Sequence, residues 1–388
     1  MEIAGNFLFY YSLLMTTVYF MMVVRWSFAW QSYSLPKIID STPETTRITV
    51  IVAVRNEEQV ILDCLKVLSA QNYSNMEIII SDDFSEDSTR SILQEYLMNN
   101  ADAKIKIRLL EAHAGDGQGK KPALQRAIKQ ASGDLILTTD ADCTMSNEWV
   151  STFAKCFHIT NASMITGFVR LDAGNSFMGK FQALEFLSLS GTGAASVMVH
   201  KPLLCNGANL CFSKSAFDSV GGYDYGGAFP SGDDTFLMLA MARTGKIVFN
   251  NLPESIVTSV PVPDMKQLIA QRKRWASKVQ FYKEGYIKRT GILMVLVNFL
   301  LLLTIPSAFL NILSWQNVLL IWLIKASTDL IFLLLITRFA RQQKLLLLFL
   351  PAVLIYPLYS LAGIFGASGK VNYSWKGRNY SVSRETNE

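Results

Sequence analysis

No two cysteines in this 388-residue chain are spaced C-x-x-C, and the five present, Cys64, Cys143, Cys156, Cys205 and Cys211, are scattered. That pattern suits a reducing compartment and suggests neither a disulfide frame nor a zinc site. Histidine is almost missing, with only His113, His158 and His200. Three are too few for a His-rich metal centre and speak against a Ser/His/Asp hydrolase. There is no Walker A sequence and no G-x-G-x-x-G, and the one Gly-rich stretch, "HAGDGQGKKP", is too loose to define a phosphate cradle alone. Nor does a basic stripe interleaved with aromatics occur, so nucleic acid is not the expected partner. The net charge of +5 fits contact with anionic lipid headgroups better.

What the chain has in quantity is apolar residues, half of the total, unevenly spread. Residues 7–24 carry no charge and suffice to cross a bilayer core of about 30 Å at about 1.5 Å per residue. Three more such runs lie at roughly 292–313, 318–337 and 345–366. The expected organisation is an N-terminal anchor (1–30), one soluble domain (31–290), two or three C-terminal spans (291–368) and a basic tail (369–388). Residues 7–24 lack a basic leader and are followed by Arg25, which marks a retained anchor rather than a cleaved signal. Arg25 also places the N-terminus outside and the large domain in the cytoplasm. On that topology "SWQN" at Ser314 is outside and "RFARQQK" (338–344) inside, while Pro351 and Pro357 leave the course of the last segment open. Residues 176–200 are apolar too, but Lys180 and Glu185 point to an interfacial helix beneath the site rather than a span. Lys325 and Asp329, four apart inside a span, are expected to neutralise each other.

Within the soluble domain the periodicity alternates. Strand-like runs at 48–54, 77–81, 105–110 and 134–139 are separated by helical patterns at 57–71, 86–99 and 120–132. That order predicts an α/β fold with a Rossmann-like, mostly parallel sheet. Ligands of such sheets sit at the carboxyl ends of the strands, and each strand here ends in polar residues. The first is followed by Arg55, Asn56, Glu57 and Glu58, the second by Asp82 and Asp83, the fourth by Asp140 and Asp142. Ser85, Glu86 and Asp87 read as caps of the next helix. The Asp140 and Asp142 pair needs another account, because like charges repel unless something cationic sits between them. A hard divalent cation completed by phosphate oxygens would serve, and Lys120, just before a helix on the same side, could meet a phosphate. Asp233 and Asp234 open another helical run, where acidic residues suit the helix dipole. A basic helix at 264–282 places Gln271, Arg274 and Trp275 close together beside the membrane.

Taken in order, "VAVRNEE", "SDDFSEDST", "GKKPAL", "TTDADC", "GANLCFSKSAFDSVGGYD", "SGDDTFL" and "QRKRW" resemble the membrane-bound family 2 glycosyltransferases with a GT-A fold, the group that includes cellulose-synthase-like enzymes and ceramide glucosyltransferases. The resemblance covers roughly 47–280, and the flanking apolar segments fit it. The tail "SWKGRNY" resembles a basic aromatic ending of many bacterial members, which implies a bacterial plasma membrane and a cytoplasmic tail.

The resemblance implies roles. Asp83 would accept from a nucleotide base, uracil by preference, with Arg55 and Glu57 in the same pocket. Asp140 would contact ribose and metal, and Asp142 would hold Mg²⁺ or Mn²⁺ against the diphosphate, with Lys120 near the nucleotide. Asp234 would be the general base of an inverting transfer. Asp233 stands where the family has glutamate, which leaves its own role open. Gln271, Arg274 and Trp275 would meet the diphosphate and floor the acceptor site. The expected partners are a UDP-linked sugar, a lipid or glycan acceptor and the membrane. Single addition to a lipid or lipid-linked acceptor is favoured over processive polymer synthesis, and a catalytically silent nucleotide-binding scaffold is the alternative from another class. Cys143 has no role in this scheme.

Overall fold

The computed structural model describes residues 2–35, 45–101, 104–226, 232–365, 371–375 and 378–382. The chain opens with α1 (Glu2–Ser32), longer than the uncharged run that signals it because Arg25 and the aromatic stretch behind it continue the helix. Then follow β1 (Ile48–Val54), α2 (Ile61–Ser69), β2 (Met76–Asp82), α3 (Thr89–Asn99), β3 (Lys106–Glu111), α4 (Lys120–Gln130) and β4 (Leu135–Thr139). These are the four strands expected from periodicity. Every residue of β1, β2 and β4 is buried, as β-branched runs covered on both faces must be. Helix α3 starts later than its pattern because Asp87 turns back, its carboxylate accepting from the N–H of Thr89 at 3.0 Å. Glu86 does not cap; it pairs with Arg55 at 2.8 Å.

The second half of the domain holds α5 (Trp149–Thr160), β5 (Met164–Thr166), β6 (Val169–Leu171), α6 (Phe177–Met198), β7 (Leu210–Ser213), α7 (Lys214–Ser219), α8 (Asp233–Met241), β8 (Ile247–Phe249), β9 (Val257–Ser259) and α9 (Met265–Ala276). Its strands have three or four residues each, too short for a period to register in sequence. The main sheet runs β3-β2-β1-β4-β7-β5-β8. Strands β1 to β4 pair in parallel, β7 is antiparallel to both neighbours, and β5 and β8 are parallel. The sheet is therefore mixed and mostly parallel. A second pair, β6 with β9, is extended by a bridge between Thr144 and Thr258, which brings β9 beside the loop leaving β4.

The C-terminal part comprises α10 (Gly285–Phe309), α11 (Trp315–Phe339), α12 (Phe349–Phe365) and the antiparallel strands β10 (Val371–Trp375) and β11 (Arg378–Val382). Among the described residues four helices are long and apolar enough to cross a membrane: Glu2–Ser32, Gly285–Phe309, Trp315–Phe339 and Gln343–Leu361. Helix α1 packs on α11 and α10. Inside that bundle Lys325 and Asp329 form an ion pair, and the Tyr19 hydroxyl donates to Asp329 at 2.6 Å. Helix α6 is buried along most of its length between α1, α11 and the β6 edge, so its apolar composition reflects packing inside the protein. Of the basic tail residues, Arg378 is described, while Lys370, Lys376 and Arg384 lie outside the described residues.

Candidate active site

The carboxyl ends of β1, β2 and β4 place two neighbouring clusters. In the first, Asp83 follows β2 and is wholly buried; both its carboxylate oxygens accept from the Gly119 N–H at 3.0 Å. Arg55, buried after β1, donates to the carbonyls of Asp83, at 3.0 Å, and Phe84. The Glu57 N–H donates to Thr89 Oγ1 at 2.8 Å, which keeps Glu57 on the same rim. A residue from the far end of the chain joins them. Arg378 of β11 donates to Asp83 Oδ2 at 2.6 Å and lies over the Phe84 ring, 5.6 Å from its centroid. Nothing in the local sequence announces that contact across 295 positions.

The second cluster faces a cavity of about 700 Å³. Lys120, Asp140, Asp142, Asp233, Asp234, Gln271, Arg274 and Trp275 all line it; Arg55, Glu57 and Asp83 do not. Lys120, at the start of α4, donates to Asp140 Oδ1 at 2.5 Å. Burial alone would push the Lys120 ammonium down, but Asp140, Asp233 and Asp234 hold it above its ordinary value. Ser259 of β9 donates to Asp142 Oδ2 at 3.3 Å, and the thiol of Cys143 donates to Asp142 Oδ1 at 3.5 Å. Burial, with the charges of Asp140 and Asp142, pushes that thiol up, so it stays a protonated donor. Cys143 thus has a place: it orients the carboxylate beside it.

Asp233 and Asp234 begin α8. Asp234 Oδ1 accepts from the Thr235 N–H at 2.7 Å and Oδ2 from the Gly207 N–H at 3.1 Å. Burial would raise the Asp234 carboxyl, but Lys278, these N–H groups and Lys120 outweigh it and hold Asp234 below the usual carboxylate range. Asp233 goes the other way, raised by burial and by the neighbouring Asp234 charge despite Lys120. One carboxylate of the pair is set to be ionised and the other resists ionisation. The "GANL" motif (207–210) divides at this point: Gly207 and Ala208, with Asn206 before them, face the cavity, whereas buried Asn209 accepts from Trp149 Nε1 at 2.9 Å and donates to the carbonyls of Phe168 and Ser255 at 2.8 Å.

On α9, Gln271, Arg274 and Trp275 line the cavity, but the Gln271 side-chain oxygen is turned to Arg272. Arg272 clasps Glu185 of α6, its Nε donating at 2.8 Å, and stacks over the Trp275 ring at 4.2 Å. Sequence reasoning missed Arg272 and Lys278, since a run of basic residues on a juxtamembrane helix does not say which of them turn inward. The cavity does not stop at this level. It continues between the apolar helices, past Ile287, Met294 and Asn298, to Tyr19, Lys325 and Asp329.

Asp140 and Asp142 offer hard oxygen donors at one strand end, the chemistry Mg²⁺ or Mn²⁺ requires. Among the described residues no group of three or more His, Cys, Asp or Glu side chains surrounds one point. The protein would therefore hold such an ion by two carboxylates and leave the rest of its shell to ligand oxygens, as suits a cation delivered with a diphosphate.

Comparison with known proteins agrees with the fold. The model of glycosyl transferase family 2 matches residues 49–217, and that of glycosyl transferase family group 2 matches residues 135–360, more than half of the chain. The poly-beta-1,6-N-acetyl-D-glucosamine synthase of Staphylococcus aureus is 30% identical over 223 residues, which cover 56% of this chain and 52% of that protein. The Staphylococcus epidermidis synthase is 27% identical over the same length. The chain spans about half the length of these curated relatives. Among solved structures, the mannosyltransferase PcManGT of Pyrobaculum calidifontis, in complex with GDP-Man and Mn²⁺, covers 94% of this chain and 98% of its own. Its TM-score is 0.56 at 17% identity, a likeness of fold. A GT-A sheet whose strand ends carry "SDD" and "DAD", matched by family models from the first strand into the C-terminal helices, makes this chain an enzyme of the family 2 glycosyltransferases.

Proposed function

We propose that the chain is a membrane-embedded, metal-dependent, inverting glycosyltransferase, with an anchor at 1–30, a catalytic domain at 31–290 facing the cytoplasm of a bacterial cell, spans within 291–368 and a tail at 369–388. It moves a sugar from a UDP-linked donor to an acceptor supplied by the membrane, a lipid-linked or polysaccharide chain. The observation that carries this is the single cavity with Asp140, Asp142, Lys120 and Asp234 at one end and the apolar helices at the other. A water-soluble acceptor would have no need of that passage. The staphylococcal relatives, named as polysaccharide synthases, support the growing-glycan form of the acceptor and N-acetylglucosamine as the sugar.

The base of the donor would bind at the rim formed by Asp83, Arg55 and Glu57, displacing Arg378 from Asp83, and its diphosphate spans Asp140, Asp142, Lys120 and Arg274. Asp140 and Asp142 would hold Mg²⁺ or Mn²⁺, which when bound offsets charge on the departing diphosphate. Lys120 and Arg274 add cationic donors aimed at the same oxygens. Asp234, ionised and facing the cavity, accepts the proton of the acceptor hydroxyl. That oxygen forms its bond to the anomeric carbon from the face opposite the diphosphate, whose oxygen leaves with the electron pair of the broken bond, so configuration inverts. Trp275 presents a ring for a sugar to stack on.

The test is to incubate detergent-purified protein with UDP-N-acetylglucosamine, UDP-glucose and GDP-mannose, each with Mg²⁺ or Mn²⁺, and to follow nucleotide diphosphate release. Release from a UDP-sugar that vanishes in Asp142→Ala is expected. Absence of release from every donor would count against this reading of the donor and the metal.

A further inference from the structure

Lys278 lies two residues beyond α9, in the tight turn Ser277–Phe281. As a cation just beyond a basic juxtamembrane helix it would ordinarily snorkel to the headgroups. It does not. The residue is 8% exposed and lines the active-site cavity, with its Nζ 4.0 Å from Asp234 Oδ1. Its stem rests on Gly232, where a Cβ would stand 3.0 Å from Lys278 Cδ and 3.1 Å from the Phe236 ring. The φ of +86° at Gly232 also favours glycine. The glycine before the acidic pair therefore serves both the turn into α8 and the slot for the lysine. An ammonium so buried is costly unless the charge it faces compensates it.

The groups facing Asp234 come from several elements. They are Lys278 from the turn after α9, Lys120 from α4 and Asp233 from its own helix, while Arg274, one turn before Lys278, acts on Lys278. Cys205, Tyr223 and Tyr282 also feel its charge. Lys120 is bound to Asp140, whereas the ion pair of Lys278 is with Asp234.

We propose that Lys278 is a positioning residue whose ammonium holds the Asp234 carboxylate in its ionised, proton-accepting form and does not itself bind the donor. This rests on Asp234 being the base. Burial and Arg274 lower Lys278 from its ordinary value against the opposing pull of Asp234 and Asp233, and Asp234 is kept below the usual carboxylate range. The two charges support each other, so removing the ammonium must move Asp234 upward.

The experiment compares wild type with Lys278→Gln and Lys278→Arg, with Lys278→Met as a second neutral variant should the glutamine fail to fold. Asp234 is titrated by difference infrared spectroscopy against Asp234→Asn, and the pH profile of nucleotide diphosphate release is recorded in parallel. In the neutral variant the Asp234 titration and the acidic limb of the profile both move upward by about one pH unit. The loss of rate is then concentrated at low pH, while Lys278→Arg returns both curves. Affinity for UDP with Mn²⁺ stays within about twofold. An unmoved Asp234 titration overturns the proposal, as does a tenfold weaker UDP affinity with an unmoved limb, which would assign Lys278 to the diphosphate. If wild type releases no nucleotide at any pH, the transferase reading fails, and the infrared titration still decides the role of Lys278.

Discussion

Arg272 shows how a single side chain can set a site it does not enter. Its guanidinium joins α9 to α6 through Glu185 and supports the Trp275 ring, and within the Arg272–Glu185 pair neither side chain is more than 10% exposed. Removing one member strands a buried charge. Arg272→Met should cost about 3–5 kcal/mol, seen as a lowered thermal midpoint in detergent, and Arg272→Met with Glu185→Leu should recover much of it. A single substitution that leaves the midpoint unchanged would show that the pair does not hold the two helices. Cys143 invites a second comparison. Its thiol orients Asp142, so Cys143→Ser should keep Mn²⁺ affinity while Cys143→Val lowers it about tenfold or more, measured by Mn²⁺ electron paramagnetic resonance. Equal affinities would make Cys143 a packing residue only. These side chains explain what the sequence did and did not disclose. Asp83, Asp140, Asp142 and Asp234 stand at strand ends or a helix start, where local pattern marks them. Arg272, Lys278 and Arg378 are surface-type residues turned inward by contacts far away in the chain.

At the level of elements, the last apolar helix separates from the others. Helices α10 and α11 have 25 residues each, about 37 Å at about 1.5 Å per residue, ample for a hydrocarbon core of about 30 Å. Helix α12 has 17, about 25 Å, with Pro357 within it, and it packs against α9 of the soluble domain as well as α10. The strands that follow bring Arg378 to Asp83. The contact of Arg378 with Asp83 favours a return of the chain to the side of the catalytic domain, one of the courses that Pro351 and Pro357 leave open. A C-terminal reporter should be accessible from the same side as the domain; accessibility from the opposite side would make α12 a full crossing. Within the bundle, Lys325→Leu alone leaves Asp329 without its ion-pair partner in an apolar layer, with the Tyr19 hydroxyl still donating to it. It should destabilise by about 3–5 kcal/mol, and the double replacement Lys325→Leu with Asp329→Leu by much less. Thermal unfolding of both variants checks this, and equal losses would contradict it. The four long strands were legible as β-branched runs, but β5, β7 and β8 were not, because three or four residues define no period and their pairing depends on partners distant in the chain.

The whole molecule is one passage with a charged mouth. The sheet supplies carboxylates and cations at its strand ends, α6 and α9 form the walls, and the apolar helices continue the cavity beneath. Family membership fixes the class of reaction, and the passage directs attention to an acceptor arriving from the membrane. Two carboxylates in this passage are proposed to do different work: Asp142 to secure the donor and Asp234 to remove the acceptor proton. The most direct test of that division measures UDP binding in the presence of Mn²⁺ and nucleotide diphosphate release side by side in wild type, Asp142→Ala and Asp234→Asn. Asp142→Ala should lose both, whereas Asp234→Asn should bind as wild type does yet release nucleotide at least about a hundredfold more slowly. Release by Asp234→Asn at the wild-type rate would contradict the account.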